Sequence, residues 1–268
     1  MRLFNLPLTL PLLLLSIPHI LAAYITFPIY IDPSPKAWAP LYSAISSTPQ
    51  VLFQLIINPN SGPGNGAYPS WNWIQALSTL RNYTNIQLIG YAHISYCNRA
   101  INLVEADVAT YANWATYSNA SAKIAVNGIH LDGIFFDEAP ESYTAFDFAY
   151  LTNITTYARS LFPRGGHINL NPGILCDSRY FPLVDTVNVW ENSYSHFKAA
   201  TAINNIPKNE TSKSTVIIYS FSGNTNTQKS LVNEIASAGV AGLFVTTTEY
   251  ESFSKDWTQF VADVAATV

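Results

Sequence analysis

Charge is what this chain has least of. Only 11% of its 268 residues are Asp, Glu, Lys or Arg, while 49% are hydrophobic. The formal net charge is −4 and no basic run occurs, so the electrostatic footprint of a nucleic-acid partner is missing. Cysteine is almost absent: Cys97 and Cys176 are the only two, and neither has metal-ligand spacing. No His pair has zinc spacing, so no metal and no cofactor are expected. The Gly-x-Ser-x-Gly elbow of a serine hydrolase is missing as well. The Gly-rich segment Asn60–Gly66 lacks the Lys of a phosphate-binding loop, and Pro63 removes a backbone donor there, so it reads as a rigid rim loop. Past the first two dozen residues no apolar run is long enough to cross a bilayer.

The N-terminus reads as a signal peptide over residues 1–23. Arg2 supplies the positive flank, Leu8 to Leu15 the apolar core, and Leu21-Ala22-Ala23 the small-residue cleavage site. An uncleaved N-terminal anchor is the alternative. A secreted, extracellular or cell-wall protein fits the rest. A surface poor in charge must be built from Asn, Ser, Thr, Gln and Tyr, and Asn82, Asn119, Asn153 and Asn209 all match the Asn-x-Ser/Thr glycosylation rule. In that compartment an even cysteine count predicts a Cys97–Cys176 disulfide, with two buried thiols as the alternative. A monomer is expected.

Residues 24–268 are close in number to the roughly 250 residues of one (β/α)₈ barrel. Short apolar runs alternate with amphipathic segments, the signature of repeated βαβ units. Strands are expected over 26–31, 51–57, 87–91, 128–136, 167–171, 186–190, 215–220 and 242–246. Helices are expected over 38–47, 71–80, 103–117, 143–161, 197–203, 227–238 and 253–266, and 178–183 is at most a turn. Eight strands give a single-domain TIM barrel. A doubly wound sheet, the alternative, usually carries a Gly-rich phosphate loop after its first strand, where this chain has Asp32-Pro33-Ser34-Pro35.

Polar residues gather at the carboxyl ends of these strands, which is where barrels place catalytic groups. The most telling segment is His130–Pro140, an apolar strand that runs into Asp137 and Glu138 before Pro140 stops it. Neighbours on a regular strand face opposite ways, so both acids serve one site only if the strand ends between them. Glu191 closes the sixth strand. Two carboxyl groups about 5–9 Å apart flank the scissile bond in retaining and inverting glycosidases, and strand spacing allows either. Asp137, Glu138 and Glu191 are therefore the candidate catalytic residues. Helix capping is the bland reading of Glu138, and Asp132, early in its strand, reads as a structural acceptor. Aromatics reach 13%. Rings stack on the C–H faces of sugars while polar groups take the hydroxyls, so Tyr30, Tyr91, Trp190 and Tyr219, with Asp32, Asn58, His93 and Asn171, are candidate substrate-binding residues for a polysaccharide. Arg99 is a candidate partner for a carboxylate of the cleft. A carbohydrate-binding or cell-wall structural protein without turnover is the rival from another class.

The chain resembles the Spherulin 4 family on Phe27–Ile31, Ala37–Tyr42, Ile56–Gly64, Gly90-Tyr91, Tyr96, Arg99, Asp132–Pro140, Asn171-Pro172-Gly173 and Glu191. The resemblance covers nearly all of residues 24–268 and implies a barrel glycoside hydrolase. It implies as substrate the α-1,4-linked N-acetylgalactosamine (GalNAc) of the fungal exopolysaccharide galactosaminogalactan. It also implies Asp137 as nucleophile, Glu191 as general acid/base and Glu138 as supporting acid. The Asp-x-x-Asp-x-Asp-x-Glu strand of chitinase-type enzymes is not matched, because Phe135 and Phe136 precede Asp137 and Glu138 comes one residue early.

Overall fold

The computed structural model describes residues 23–118 and 128–268. Eight parallel strands close on themselves in sequence order. They are β1 (Tyr24–Ile29), β2 (Phe53–Ile57), β3 (Ile86–His93), β4 (Gly133–Asp137), β5 (His167–Asn171), β6 (Thr186–Ser193), β7 (Ser214–Tyr219) and β8 (Gly242–Val245). The helices are α1 (Ala39–Ser47), α2 (Trp71–Leu80), α3 (Ile101–Asn113), α4 (Ala145–Leu161), α5 (Ala199–Ala202), α6 (Thr225–Ser237) and α7 (Trp257–Ala265). This is the TIM barrel expected from the sequence, as a single domain. β4 begins later than its apolar run suggested, and 197–203 shortens to a four-residue helix. Residues 178–183 form only a short 3₁₀ segment. Most of the leader and Asn119 lie outside the described residues.

The alternation of elements follows from two periodicities. β2 is buried at every position, as a strand covered on both faces must be. The helices bury one stripe each. In α7 it is Trp257, Phe260, Val261 and Val264, and in α6 Gln228, Leu231, Val232 and Ile235, each at i, i+3, i+4 and i+7. Thr144 caps α4 by accepting from the Asp147 amide at 3.0 Å, worth about 1 kcal/mol. Gly133 lets β4 and β5 approach, since a methyl group there would lie 1.9 Å from the His167 carbonyl oxygen.

The amino-terminal mouth is tied shut by a repeated device. Asp132 accepts from the Leu88 amide of β3 at 2.7 Å and pairs with Arg81 at 3.1 Å. Asp185 accepts from the Ile168 amide of β5 at 2.8 Å and pairs with Arg159 at 3.1 Å. Each aspartate thus stitches the edge of a neighbouring strand, and the structural reading of Asp132 holds. A cavity of about 600 Å³ opens at this end, lined by Gln87, His130, His167 and both aspartates. Barrel chemistry belongs to the opposite mouth, so this end reads as stability.

Candidate active site

β4 places Phe135 inward, and the two-residue period carries Asp137 to the same face. The strand ends at Asp137. Glu138 takes a left-handed backbone, φ 59°, which costs a non-glycine residue on the order of 1–3 kcal/mol. That turn breaks the alternation between the two acids. It aims the Glu138 amide at the Asp137 carboxylate and lets the Glu138 carbonyl accept from the Tyr96 amide at 2.6 Å.

Glu191 reaches the barrel interior by a different route. Asn188 points inward from β6, so strict alternation would send Glu191 outward. The register with β7 shifts between Asn188 and Trp190, a bulge with Val189 as the extra residue. One added residue reverses the phase, and Asn188 and Glu191 face the same side. Asn188 Nδ2 donates to Glu191 Oε2 at 2.9 Å. Beyond the bulge β6 leaves β5, and the Glu191 amide donates to the Gly173 carbonyl at 2.9 Å.

Asn171 joins the two acids. Its Nδ2 donates to Asp137 Oδ1 at 2.7 Å and to Glu191 Oε2 at 2.7 Å. Two such bonds on one nitrogen hold the two acceptor oxygens within about 5 Å of each other. The amide cannot turn round, because its Oδ1 accepts from Asn188 Nδ2 at 2.8 Å and from the Gly173 amide at 3.0 Å. Tyr250 Oη donates to the other oxygen, Glu191 Oε1, at 2.6 Å.

Tyrosines wall the acids. Tyr219 meets Tyr250 edge-on at 6.2 Å, Tyr250 meets Tyr30 at 5.4 Å, and Tyr30 meets Tyr91 at 6.1 Å. Tyr91 is hydrogen-bonded to Asp137, and Tyr30 to Asn58. Asn58 Oδ1 also accepts from the Gly62 amide at 2.9 Å, bracing the Gly-rich loop. Burial raises both carboxyl pKa values. Asp137 is pushed up first by lost hydration, against the pull of Tyr91, Asn171 and the Glu138 amide. Glu191 is pushed up by burial and then by the charge of Asp137, against its three donors. Burial and both nearby carboxylates hold the Tyr30 hydroxyl above its ordinary value. Glu138 sits at the rim, its side chain 42% exposed, with His93 Nδ1 at 3.8 Å from Oε2.

Tyr30, Asn58, Tyr91, Asn171 and Tyr219 thus gather around Asp137 and Glu191, while His93 and Glu138 stand at the edge. Three candidates stand apart from this group. Asp32 is exposed and makes no described contact with the acids. The bulge turns Trp190 out of the barrel interior, so its ring packs on the core and on Phe197 at 6.2 Å. Arg99 pairs with Asp107 of α3 at 2.7 Å, not with an acid of the cleft. The expected disulfide is absent too: Cys97 and Cys176 are free, buried thiols. Their surroundings differ, Asp147 beside Cys97 and Glu210 with Asp177 near Cys176, and burial pushes both thiols up to about 12. Sequence reasoning missed Asn188 and Tyr250. Asn188 left a signal, a polar residue between two valines of a buried strand. Tyr250 left none, being five residues past β8 on a loop.

The site is a carboxylate pair at the carboxyl-terminal mouth of a closed parallel barrel, braced by amides and walled by phenols, an arrangement suited to acid/base and nucleophilic chemistry. Residues 24–264 match the model of the spherulation-specific family 4, Spherulin4, and the chain belongs to that family. Spherulin-4 of Physarum polycephalum is 29% identical over 229 residues, 82% of this chain, and the chain spans 61% of that relative's length. The crystal structure of Aspergillus clavatus Sph3 in complex with GalNAc is similar at a TM-score of 0.82 and 32% identity, over 91% of this chain and 98% of that one. An endo-beta-1,4-mannanase from Thermotoga petrophila, at a TM-score of 0.57 and 9% identity over 92% of this chain and 76% of that one, shares the fold alone.

Proposed function

We propose that this chain is a secreted, endo-acting glycoside hydrolase that cleaves α-1,4-linked N-acetylgalactosamine in a fungal exopolysaccharide such as galactosaminogalactan, with retention at the anomeric carbon. The observation that supports the reading is the shared Asn171 amide, which holds one oxygen of Asp137 within about 5 Å of one oxygen of Glu191, a closeness that favours a nucleophile and its acid/base partner over the wider gap that admits an inverting water. The GalNAc bound to the Sph3 relative supports the sugar.

The steps follow from that geometry. Glu191, whose protonated form burial and the neighbouring charge of Asp137 favour, gives its proton to the glycosidic oxygen as the bond to the anomeric carbon breaks. An Asp137 oxygen bonds to that carbon from the opposite face, forming a glycosyl ester. Glu191, now ionised, takes a proton from water, whose oxygen attacks the same carbon and releases Asp137. In an α-linked GalNAc the 2-acetamido group lies on the same side as the leaving group and cannot attack from behind. The enzyme must therefore supply the nucleophile itself. Lost hydration favours the neutral acid and the donors favour the ionised one, so Glu191 can hold a proton and release it. Tyr30, Tyr91, Tyr219 and Tyr250 offer ring edges and hydroxyls to the sugar.

Removal of residues 1–23 on export, glycosylation at Asn82, Asn119, Asn153 and Asn209, and a monomeric state belong to the same reading. Asn82, Asn153 and Asn209 are exposed. The test is hydrolysis of purified GalNAc polysaccharide, read by released reducing ends. Asp137→Ala and Glu191→Ala should stay folded and lose activity by about 10³-fold or more. Full activity in both variants refutes the assignment. A folded wild-type chain that binds the polymer but never cuts it supports a carbohydrate-binding protein instead.

A further inference from the structure

Large apolar side chains are exposed at few places among the described residues, and most of them share one region. Trp71, Tyr96, Leu103, Phe146 and Ile174 all lie on the carboxyl-terminal face, in the loop after a strand or the first turn of the helix that follows. They occupy the consecutive sectors that follow β2, β3, β4 and β5. The sectors after β6, β7, β8 and β1 carry none of these side chains. Tyr96 and Phe146 are the most exposed of the set, at 62% and 68%.

Tyr96 is held rather than loose. Ser95, Tyr96 and Cys97 are three consecutive left-handed residues, with φ of 48°, 54° and 63°. The Tyr96 amide donates to the Glu138 carbonyl, and Asn98 Nδ2 donates to the Ser95 and Tyr96 carbonyls at 3.1 Å. The same loop is fastened to the start of α4. Cys97 hydrogen-bonds Asp147, the Tyr150 hydroxyl donates to the Arg99 carbonyl at 2.6 Å, and the ring of Phe146 lies 6.4 Å from that of Tyr150. Two exposed rings thus flank one fixed seam that begins one residue from Asp137. Rings presented singly around a rim suit the alternating apolar and hydroxyl faces of a sugar chain.

We propose that the Tyr96–Phe146 rim is a substrate track: an extended GalNAc polymer crosses the Asp137–Glu191 pair and continues outward over Tyr96 and then Phe146. The inference rests on the proposed polysaccharide substrate, and adds where the chain lies beyond the cleaved bond.

The experiment measures binding in the Glu191→Gln background, so that turnover does not enter. Retardation in a gel containing GalNAc polysaccharide is compared for E191Q alone, with Tyr96→Ala plus Phe146→Ala, and with Leu161→Ala, an exposed apolar residue at the amino-terminal end of the barrel. The double rim variant should weaken polymer affinity by about tenfold or more, and L161A should leave it unchanged. Equal retardation of all three overturns the track, as does a change of oligomeric state in the rim variant with polymer binding intact, which would make the rim a contact between copies. Wild-type hydrolysis of the same polymer is scored separately. Its absence refutes the proposed reaction, while the binding comparison still decides the track.

Discussion

Replacing Asn171 with Ala tests the site at the point where its two acids meet. The substitution removes two bonds of 2.7 Å to carboxylates, each of a kind worth about 1.5–3 kcal/mol. It also strips Asn188 of an acceptor. The full sum will not appear as lost activity, because one acid can bind a proton and relieve the repulsion. Loss of one preorganised donor from a site of this type typically lowers kcat by about 10²–10³. The pH profile gives the sharper signal. Asn171 favours the ionised form of both carboxyl groups. Without it, both pKa values rise further. The acid limb, set by ionisation of Asp137, and the alkaline limb, set by protonation of Glu191, should both move to higher pH. Reducing-end release between pH 4 and 8, with circular dichroism as the check on folding, measures both effects. A folded Asn171→Ala variant with activity within about threefold of wild type and unmoved limbs would refute the claim that this amide organises the pair.

Three further outcomes follow from the geometry. Glu191→Gln should raise the melting temperature at pH 7. The raised carboxyl pKa makes the folded state hold its proton more tightly than the unfolded one, so native stability falls as pH rises from the ordinary carboxylate range through the raised value, and the gain from the amide should vanish below that range. Scanning calorimetry at pH 3 and 7 checks the sign, and a gain equal at both pH values contradicts it. Tyr250→Phe removes a 2.6 Å donor from Glu191 and should lower kcat/KM about 10- to 100-fold with the alkaline limb displaced upward; an unchanged limb would leave Tyr250 as wall and nothing more. Titration with a thiol reagent without reductant should find no reactive thiol in the folded chain and two after denaturation, since Cys97 and Cys176 are buried and protonated. Finding none after denaturation would mean a disulfide.

The barrel and its acids were legible because they rest on features that sequence states directly. Runs such as Leu55–Ile57 and Gly133–Phe136 are apolar at every position, as strands covered on both faces must be, and Asp137 and Glu191 interrupt that pattern toward the carboxyl ends of theirs. The join between them was not legible. Asn171 was singled out as a polar strand-end residue, but its use of one nitrogen for two carboxylates depends on Gly173 and Asn188 fixing the amide's direction. Trp190 was singled out as a ring near a strand end, but it is the neighbour of Glu191, and neighbours on a strand face opposite ways. Arg99 found Asp107 first, since a partner on the next helix forms an ion pair without entering the cleft. Tyr250 reaches Glu191 from a loop, where no periodicity reports which way a side chain points.

Val189 repays a last consideration. It carries no charge and touches no proposed substrate, yet the supernumerary position it fills decides which way everything downstream on its strand looks. Straightening the bulge, so that Val189 took a rung of its own against β7, would bring Trp190 into the hollow and dismiss Glu191 toward the outer helices. The tidier strand would leave a vessel with an indole where its proton donor had been, still shaped to hold a sugar and no longer able to cut one. On this scaffold the difference between a blade and a grip is one residue of strand phase.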